Sequence, residues 1–171
     1  MTRFTVSPSL DSFFSAKYIA PNSLEERVAA LRAEGKTIVT LNGSFDLLHA
    51  GHLQMIYEAS LQGDILIVAL NSDASIQKYK NPNRPIISLK ERLLMMAAIG
   101  FVGYVTSFEE TDPRALLQKI KPHVHVNGAE YGENCIEAAV VKENGGRLHI
   151  VTLVPGLSTS NILNKIRTTC A

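Results

Sequence analysis

His49 and His52 stand three residues apart in "NGSFDLLHAGH", residues 42–52, with Gly51 between them and the apolar run "TIVTL" just before. At the entry to a helix, that spacing projects both imidazoles from one side of the first turn. A helix N-terminus also offers unpaired N–H groups and partial positive charge, so such a turn suits an anion. Gly51 leaves space for a phosphate to approach the backbone, and Gly43 lets the chain leave a strand close to a ligand. The stretch matches neither the Walker phosphate loop nor the Gly-x-Gly-x-x-Gly dinucleotide fingerprint. Zinc would require further ligands, and no His-Glu-x-x-His motif or cysteine pair accompanies the two histidines. On the residues alone, two readings remain: contact with phosphate, or ordinary capping and packing.

Similar residue types follow the other apolar runs: "NSDAS" from 71, "NGAEYG" from 127 and "PGLSTSN" from 155. Glycine, asparagine and hydroxyl residues in such places present backbone N–H groups and short donors to anions. Ser158, Thr159 and Ser160 stand at the start of a helix, where hydroxyls, unpaired N–H groups and the helix dipole converge. Lys78 and Lys80 lie in "NSDASIQKYKNPNRPIIS" (71–88), which reads as one long irregular loop. Loops of that length inside a domain are more often functional than idle. His123 and His125 alternate along a strand and share a face, but two ligands do not make a metal site, and packing is the simpler reading.

The elements that must position these residues are legible from periodicity. Short β-branched runs at 37–41, 65–70, 102–106, 123–126 and 148–154 read as buried strands, and helical spacing follows each of the first four. Strict alternation of this kind predicts a doubly wound α/β fold, a five-stranded parallel sheet with Rossmann-like connectivity. In such sheets ligands bind beyond the carboxyl ends of the strands, where the residues above are found. A helix over 22–35 precedes the first strand, with Asn22 or Ser23 as cap and Glu26 completing a capping box. Residues 1 to about 20 show no clear period and read as an extension, either ordered on contact or loose. The whole of 1–171 reads as a single domain.

Composition excludes some function classes. Lysine plus arginine number 17 and aspartate plus glutamate 16, so there is no general electrostatic pull toward nucleic acid or membrane. Cys135 and Cys170 are far apart with no metal-type spacing, which fits a reducing compartment. The first residues lack the apolar core of a signal peptide, and no run is long enough to span a bilayer. The expected location is the cytoplasm.

"NGSFDLLHAGHLQMI" resembles the Asn-Gly-Cys-Phe-Asp-x-Leu-His-x-Gly-His block of the HIGH nucleotidyltransferase superfamily almost throughout. The likeness continues through "GDILIVALNSDASIQKYK", "RPIISLKERLLMMAAI", "NGAEY", "NGGRLHIV" and "GLSTSNILNKI", roughly residues 24 to 168. It is greatest to heptose 1-phosphate adenylyltransferases, with glycerol-3-phosphate cytidylyltransferases the nearest relatives. The resemblance implies transfer of AMP from ATP to a sugar phosphate with release of pyrophosphate, a magnesium ion entering with the triphosphate, and a homodimer. It implies that His49 and His52 bind the triphosphate and stabilise the reacting phosphorus, with Lys80 closing over it. By the same likeness, the nucleotide lies against Ser44, Phe45, Gly51, Lys78, Arg92, Asn127, Gly128, Glu130, Gly156, Ser158, Thr159 and Ser160. Asp46 and Asp73 lie near the acceptor, and Arg84 is a further candidate. No protein ligand of the metal is implied.

Four positions depart from the pattern: Ser44 stands for a cysteine, Asn127 for the lysine of Lys-Gly-Gly-Asp-Tyr, Ala129 for a glycine and Gly103 for an aspartate. Losing the lysine removes a positive charge near the expected nucleotide, which bears on the choice of base or acceptor more than on the reaction. The alternatives are a cytidylyltransferase for glycerol 3-phosphate or another polyol phosphate, and a nucleotide-binding protein without catalysis.

Overall fold

A computed structural model describes residues 9–132, 134–152 and 156–170. Five strands, β1 (Ile38–Gly43), β2 (Ile65–Asn71), β3 (Tyr104–Phe108), β4 (Val124–Gly128) and β5 (Arg147–Val151), form one parallel sheet in the order β3-β2-β1-β4-β5. The doubly wound expectation holds. After β2 and β3 the chain returns past β1 to lay down β4, so the order reverses between β1 and β4. That reversal opens the crevice in which such folds bind ligands.

Alternation along the strands splits the core into two layers. Val39, Leu41, Leu66, Val68 and Leu70 pack on one face, where α3 (Ala50–Ser60) and α5 (Leu89–Ala98) contribute Ile56, Leu93, Met96 and Ala97. Ile38, Ile67 and Ala69 face the other way, against Leu24, Val28 and Leu31 of α2 (Leu24–Ala33) and Leu116 and Ile120 of α6 (Arg114–Ile120). Thr40 and His125 lie directly opposite each other in register, and their side chains share a 2.9 Å hydrogen bond.

Several sequence expectations need correction, and one left open is decided. The segment before residue 20 is ordered on contact from Ser9 and contains α1 (Leu10–Lys17), capped by reciprocal hydrogen bonds between Ser9 and Ser12. Its order comes from tertiary contact, which periodicity cannot reveal. Phe14 and Tyr18 pack on the core, the Lys17 ammonium donates to the carbonyls of Ala97 and Ile99 at the end of α5, and Ile19 N–H donates to Val105 O of edge strand β3. Residues 1–8 lie outside the described residues. The stretch 71–88 is not one loop: α4 (Asp73–Tyr79) occupies its first part, with Ser72 accepting from Ser75 N–H as its cap. The Ser23–Glu26 capping box does not form, because a 3₁₀ turn over Pro21–Ser23 leads straight into α2 and leaves the hydroxyl without a capping bond. A reciprocal box forms instead at α5, between Ser88 and Glu91. β1 to β4 each run further toward the carboxyl edge than their apolar runs do. β5 ends at Val151, and 153 and 154 of its anticipated strand lie outside the described residues. Two helices complete the fold, α7 (Ala138–Glu143) and α8 (Thr159–Thr169).

Candidate active site

β1 continues through Gly43 and then turns sharply at Phe45, whose φ of 45° is a left-handed conformation unusual for an aromatic residue. The turn folds the Phe45 ring beneath Gly43, where an added Cβ would come within 3.2 Å of it. The ring is buried and meets His52 edge-on at 5.3 Å. His49 is the N-cap of α3, its Nδ1 accepting from His52 N–H at 3.4 Å. The two imidazoles stack with centroids 3.8 Å apart. Desolvation, followed by the neighbouring His49 and Lys80, lowers the His52 pKa to about 4, and burial lowers that of His49 too. His52 Nδ1 is buried with no partner. Gly51 lies 3.1 Å, measured from an added Cβ, from both the His49 ring and the Leu157 side chain, so the approach to α8 is seated against this turn.

Lys80 ends α4 and donates to Ser44 Oγ at 3.1 Å. Burial, followed by the nearby Arg84 guanidinium, lowers its pKa. A cation crowded by another cation gains when an anion arrives. Arg92 is wholly buried, and its donors are engaged by the carbonyls of Ile87, Ser44 and Asn71 and by Asp73 Oδ1 at 2.7 Å. It therefore ties the end of β1, the end of β2 and the start of α4 together, and its donors are spent inside the fold. Asp46, anticipated near the acceptor, is likewise spent: its buried carboxylate accepts from Arg84 at 2.6 Å and from the N–H groups of Ile86 and Ile87 at 2.7 and 2.9 Å. Asp73 is half-exposed and keeps an oxygen beyond the Arg92 pair. Lys78 is exposed on α4 and lines neither cavity described next.

Two cavities open at the carboxyl edge. A cleft of about 190 Å³ at the β1–β4 reversal is lined by Ser44, Phe45, His52, Lys80, Asn127, Gly128, Glu130 and Thr159. Beside it, a cavity of about 270 Å³ reaches across the ends of β2 and β3 to Phe108, Thr111 and Asp112, with Glu137 also in its wall. Glu130 folds back over Gly128, its carboxylate within 2.1 Å of where a Cβ would stand. Ser158 caps α8 by accepting from Asn161 N–H at 3.1 Å, and Gly156 turns into that cap with φ of 81°. Thr159 reaches the cleft, while Ser160 is exposed and does not line it. His125 is buried against Thr40 and packs as anticipated, while His123 is exposed, accepts from Ile38 N–H and meets Arg32.

Sequence reasoning missed Asn42, Tyr131 and Glu137. Asn42 lines both cavities, and its Oδ1 is buried without a partner. Its place at the strand end was the available signal. Nothing in the sequence marked Glu137, which reaches the site only through the loop folding back before α7.

No group of three or more metal-ligating side chains converges among the described residues. With Asp46 and Asp73 both bonded to guanidinium groups, a cage built by the protein does not fit this site. Phosphate oxygens and water are the ligands magnesium ordinarily keeps beside a nucleotide. No helix among the described residues is long and apolar enough to cross a membrane.

Known proteins resemble this chain in sequence and in fold. The chain is 45% identical over 149 residues to the "Bifunctional protein HldE" of Pseudomonas entomophila and 44% identical over 144 residues to that of Trichlorobacter lovleyi. These alignments cover 85% and 84% of this chain but 32% and 29% of those proteins, so it spans about a third of their length. A lipopolysaccharide core biosynthesis protein from Thermoplasma volcanium superposes with a TM-score of 0.57 at 26% identity, covering 70% of this chain and 98% of that one. The cytidylyltransferase-like family model matches residues 40–169, from the middle of β1 to the end of α8. The chain belongs to the cytidylyltransferase-like family.

Proposed function

We propose that this chain is a nucleotidyltransferase that moves AMP from ATP onto heptose 1-phosphate, forming ADP-heptose and pyrophosphate. The observation that carries this reading is that His52, stacked on His49, lines one cleft together with Lys80 and Thr159. Three separate parts of the chain thus bring anion-seeking groups to one place at the strand-order reversal.

The acceptor is a phosphate monoester with a second pKa of about 6, so it is already largely dianionic at neutral pH. Attack on the α-phosphorus needs no general base. It needs two repelling anions held in line, and donors placed where charge grows on the leaving pyrophosphate. His49 and His52 donate to the α-phosphate and its bridging oxygen, Lys80, which lines both cavities, to the α-phosphate and the incoming acceptor phosphate, and the α8 N-terminus at Ser158 and Thr159 to the outer phosphates. Magnesium, held by phosphate oxygens and water, supplies further charge neutralisation. Because the reaction consumes ATP, we place it in the cytoplasm.

The family match and Asn127 favour a second reading, a cytidylyltransferase for a small polyol phosphate. Pyrophosphate release measured with ATP or CTP against heptose 1-phosphate or glycerol 3-phosphate separates the two. Release confined to ATP with heptose 1-phosphate is expected; release with CTP alone, or nucleotide binding with no release, overturns the proposal.

We place two copies together through the exposed Leu53, Tyr57 and Leu61, successive i, i+4 neighbours at one face of α3, and Phe101, which meets Tyr57 edge-on at 5.5 Å. Sedimentation at micromolar concentration should give the dimer mass; a monomer there rejects the assembly.

A further inference from the structure

Glu137 is the site carboxylate that the proposed chemistry does not use. It is 5% exposed, it lines the larger cavity, and it accepts a long hydrogen bond from Asn127 Nδ2 at 3.4 Å and one from the Cys135 thiol, which leaves about two of its acceptor positions. An ionised carboxylate offers about four acceptor positions and no donor. Buried carboxylates are satisfied by donors or they cost free energy. Arg114, the nearby guanidinium, is engaged by Asp112 instead, with N–O distances of 2.9 Å. Acceptor positions of Glu137 therefore remain for a ligand.

The charge layout fixes which part of a ligand that is. The two cavities share Asn42, Gly43, Ser44, Lys80, Asn127 and Tyr131, while His52, Glu130 and Thr159 belong to the smaller cleft alone and Glu137 to the larger. A nucleotide whose triphosphate is held by His52 and Thr159, with its ribose hydroxyls toward the Glu130 carboxylate, occupies the cleft and leaves the larger cavity to the second substrate, with Lys80 at the junction. Phosphate is repelled by Glu137 and drawn to Lys80, so the second substrate's phosphate lies at the junction and its uncharged end at Glu137. The group meeting a carboxylate there must be a donor, which in a sugar phosphate is a hydroxyl.

Building on the transferase reading, we infer that Glu137, backed by Asn127, is a specificity-determining residue that accepts a hydrogen bond from a hydroxyl of the acceptor sugar. Asp112 and Thr111, in the wall of the same cavity, offer further polar contacts to a polyol and little to an apolar group.

The test is calorimetric titration of heptose 1-phosphate into wild type, Glu137→Gln and Glu137→Ala, followed by KM values for both substrates. Titration needs no turnover, so failure of the reaction and failure of this assignment come apart. Losing a hydrogen bond to a charged group should weaken acceptor binding about 10- to 100-fold in Glu137→Ala, with an intermediate loss in Glu137→Gln. KM for ATP should stay within about twofold. Monodeoxy analogues of heptose 1-phosphate complete the cycle: one should bind wild type as weakly as the full sugar binds Glu137→Ala, and lose nothing more in that variant. Unchanged acceptor affinity in Glu137→Gln and Glu137→Ala, a loss confined to ATP, deoxy penalties that persist in Glu137→Ala, or a wild type that binds no sugar phosphate would each overturn the inference.

Discussion

The imidazoles of His49 and His52 stack with planes 23° apart and centroids 3.8 Å apart, with Lys80 close enough to lower the His52 pKa further. Two imidazolium ions cannot share that separation cheaply, so the empty site holds neutral rings at pH 7. A bound triphosphate reverses the balance, because its charge stabilises a proton on His52. ATP binding should therefore take up protons between about pH 4, the free-site value, and neutrality. Calorimetry in buffers of differing ionisation enthalpy at pH 5.5 measures this. After subtraction of the proton release of ATP itself, His52→Gln should lose most of the uptake, and equal uptake by the variant counts against the role given to His52.

Asp46 is a positioning residue. Its carboxylate pins Arg84, Ile86 and Ile87, which carry the chain from α4 to α5 past Lys80. Removing one member of a buried pair leaves the other uncompensated, at about 3 to 5 kcal/mol. Asp46→Ala should lose stability on that scale in urea unfolding and lower kcat as Lys80 drifts from Ser44. A variant as stable as wild type but with a raised KM for the sugar phosphate would return Asp46 to the acceptor.

What could be read from the residues divides along physical lines. Strand runs such as "ILIVAL" declared themselves because a parallel sheet is covered on both faces and needs no polar alternation. His52, Asn127 and Thr159 were legible as candidates for one cleft because topology alone sends strand ends and the following helix starts to one edge, whereas Lys80, at the far end of α4, was raised only by the family resemblance. α1 was not legible, since Lys17 and Ile19 find their partners at Ala97 and Val105, far away in sequence. Asp46 and Arg92 show the limit within the site. Their types suit substrate contact as well as internal bonding, and only coordinates reveal that their hydrogen-bonding groups are occupied.

His125 is buried in the sheet with Nδ1 on Thr40 and Nε2 unpartnered, and desolvation lowers its pKa to about 4. The unfolded chain, with histidine near its ordinary 6.5, binds this proton more readily than the folded one. The resulting stability is complete above about pH 6.5 and is lost as pH falls toward 4, on the order of 3 kcal/mol in all. Urea midpoints at pH 7 and pH 5 should differ accordingly, and His125→Gln should lose much of that dependence. A variant whose midpoint falls with acid as steeply as wild type would place the linkage elsewhere.

Gly128 and Gly146 permit a matched comparison. An added Cβ at Gly128 meets Glu130 Oε2 at 2.1 Å, the free end of an exposed, flexible side chain that can swing away. At Gly146 it meets the Pro122 carbonyl oxygen at 2.3 Å, which is backbone and cannot yield without moving the entry to β4. Gly128→Ala should therefore fold with a stability change within about 1 kcal/mol, while Gly146→Ala should lose about 2 kcal/mol or more. With Glu130 accepting from the ribose hydroxyls of ATP, displacing it should raise the KM for ATP about 3- to 10-fold and leave that for the sugar phosphate nearly unchanged, the reverse of the pattern expected at Glu137. Steady-state kinetics of Gly128→Ala thus tests whether the smaller cleft holds the nucleotide: a KM change confined to the sugar phosphate would exchange the two cavities.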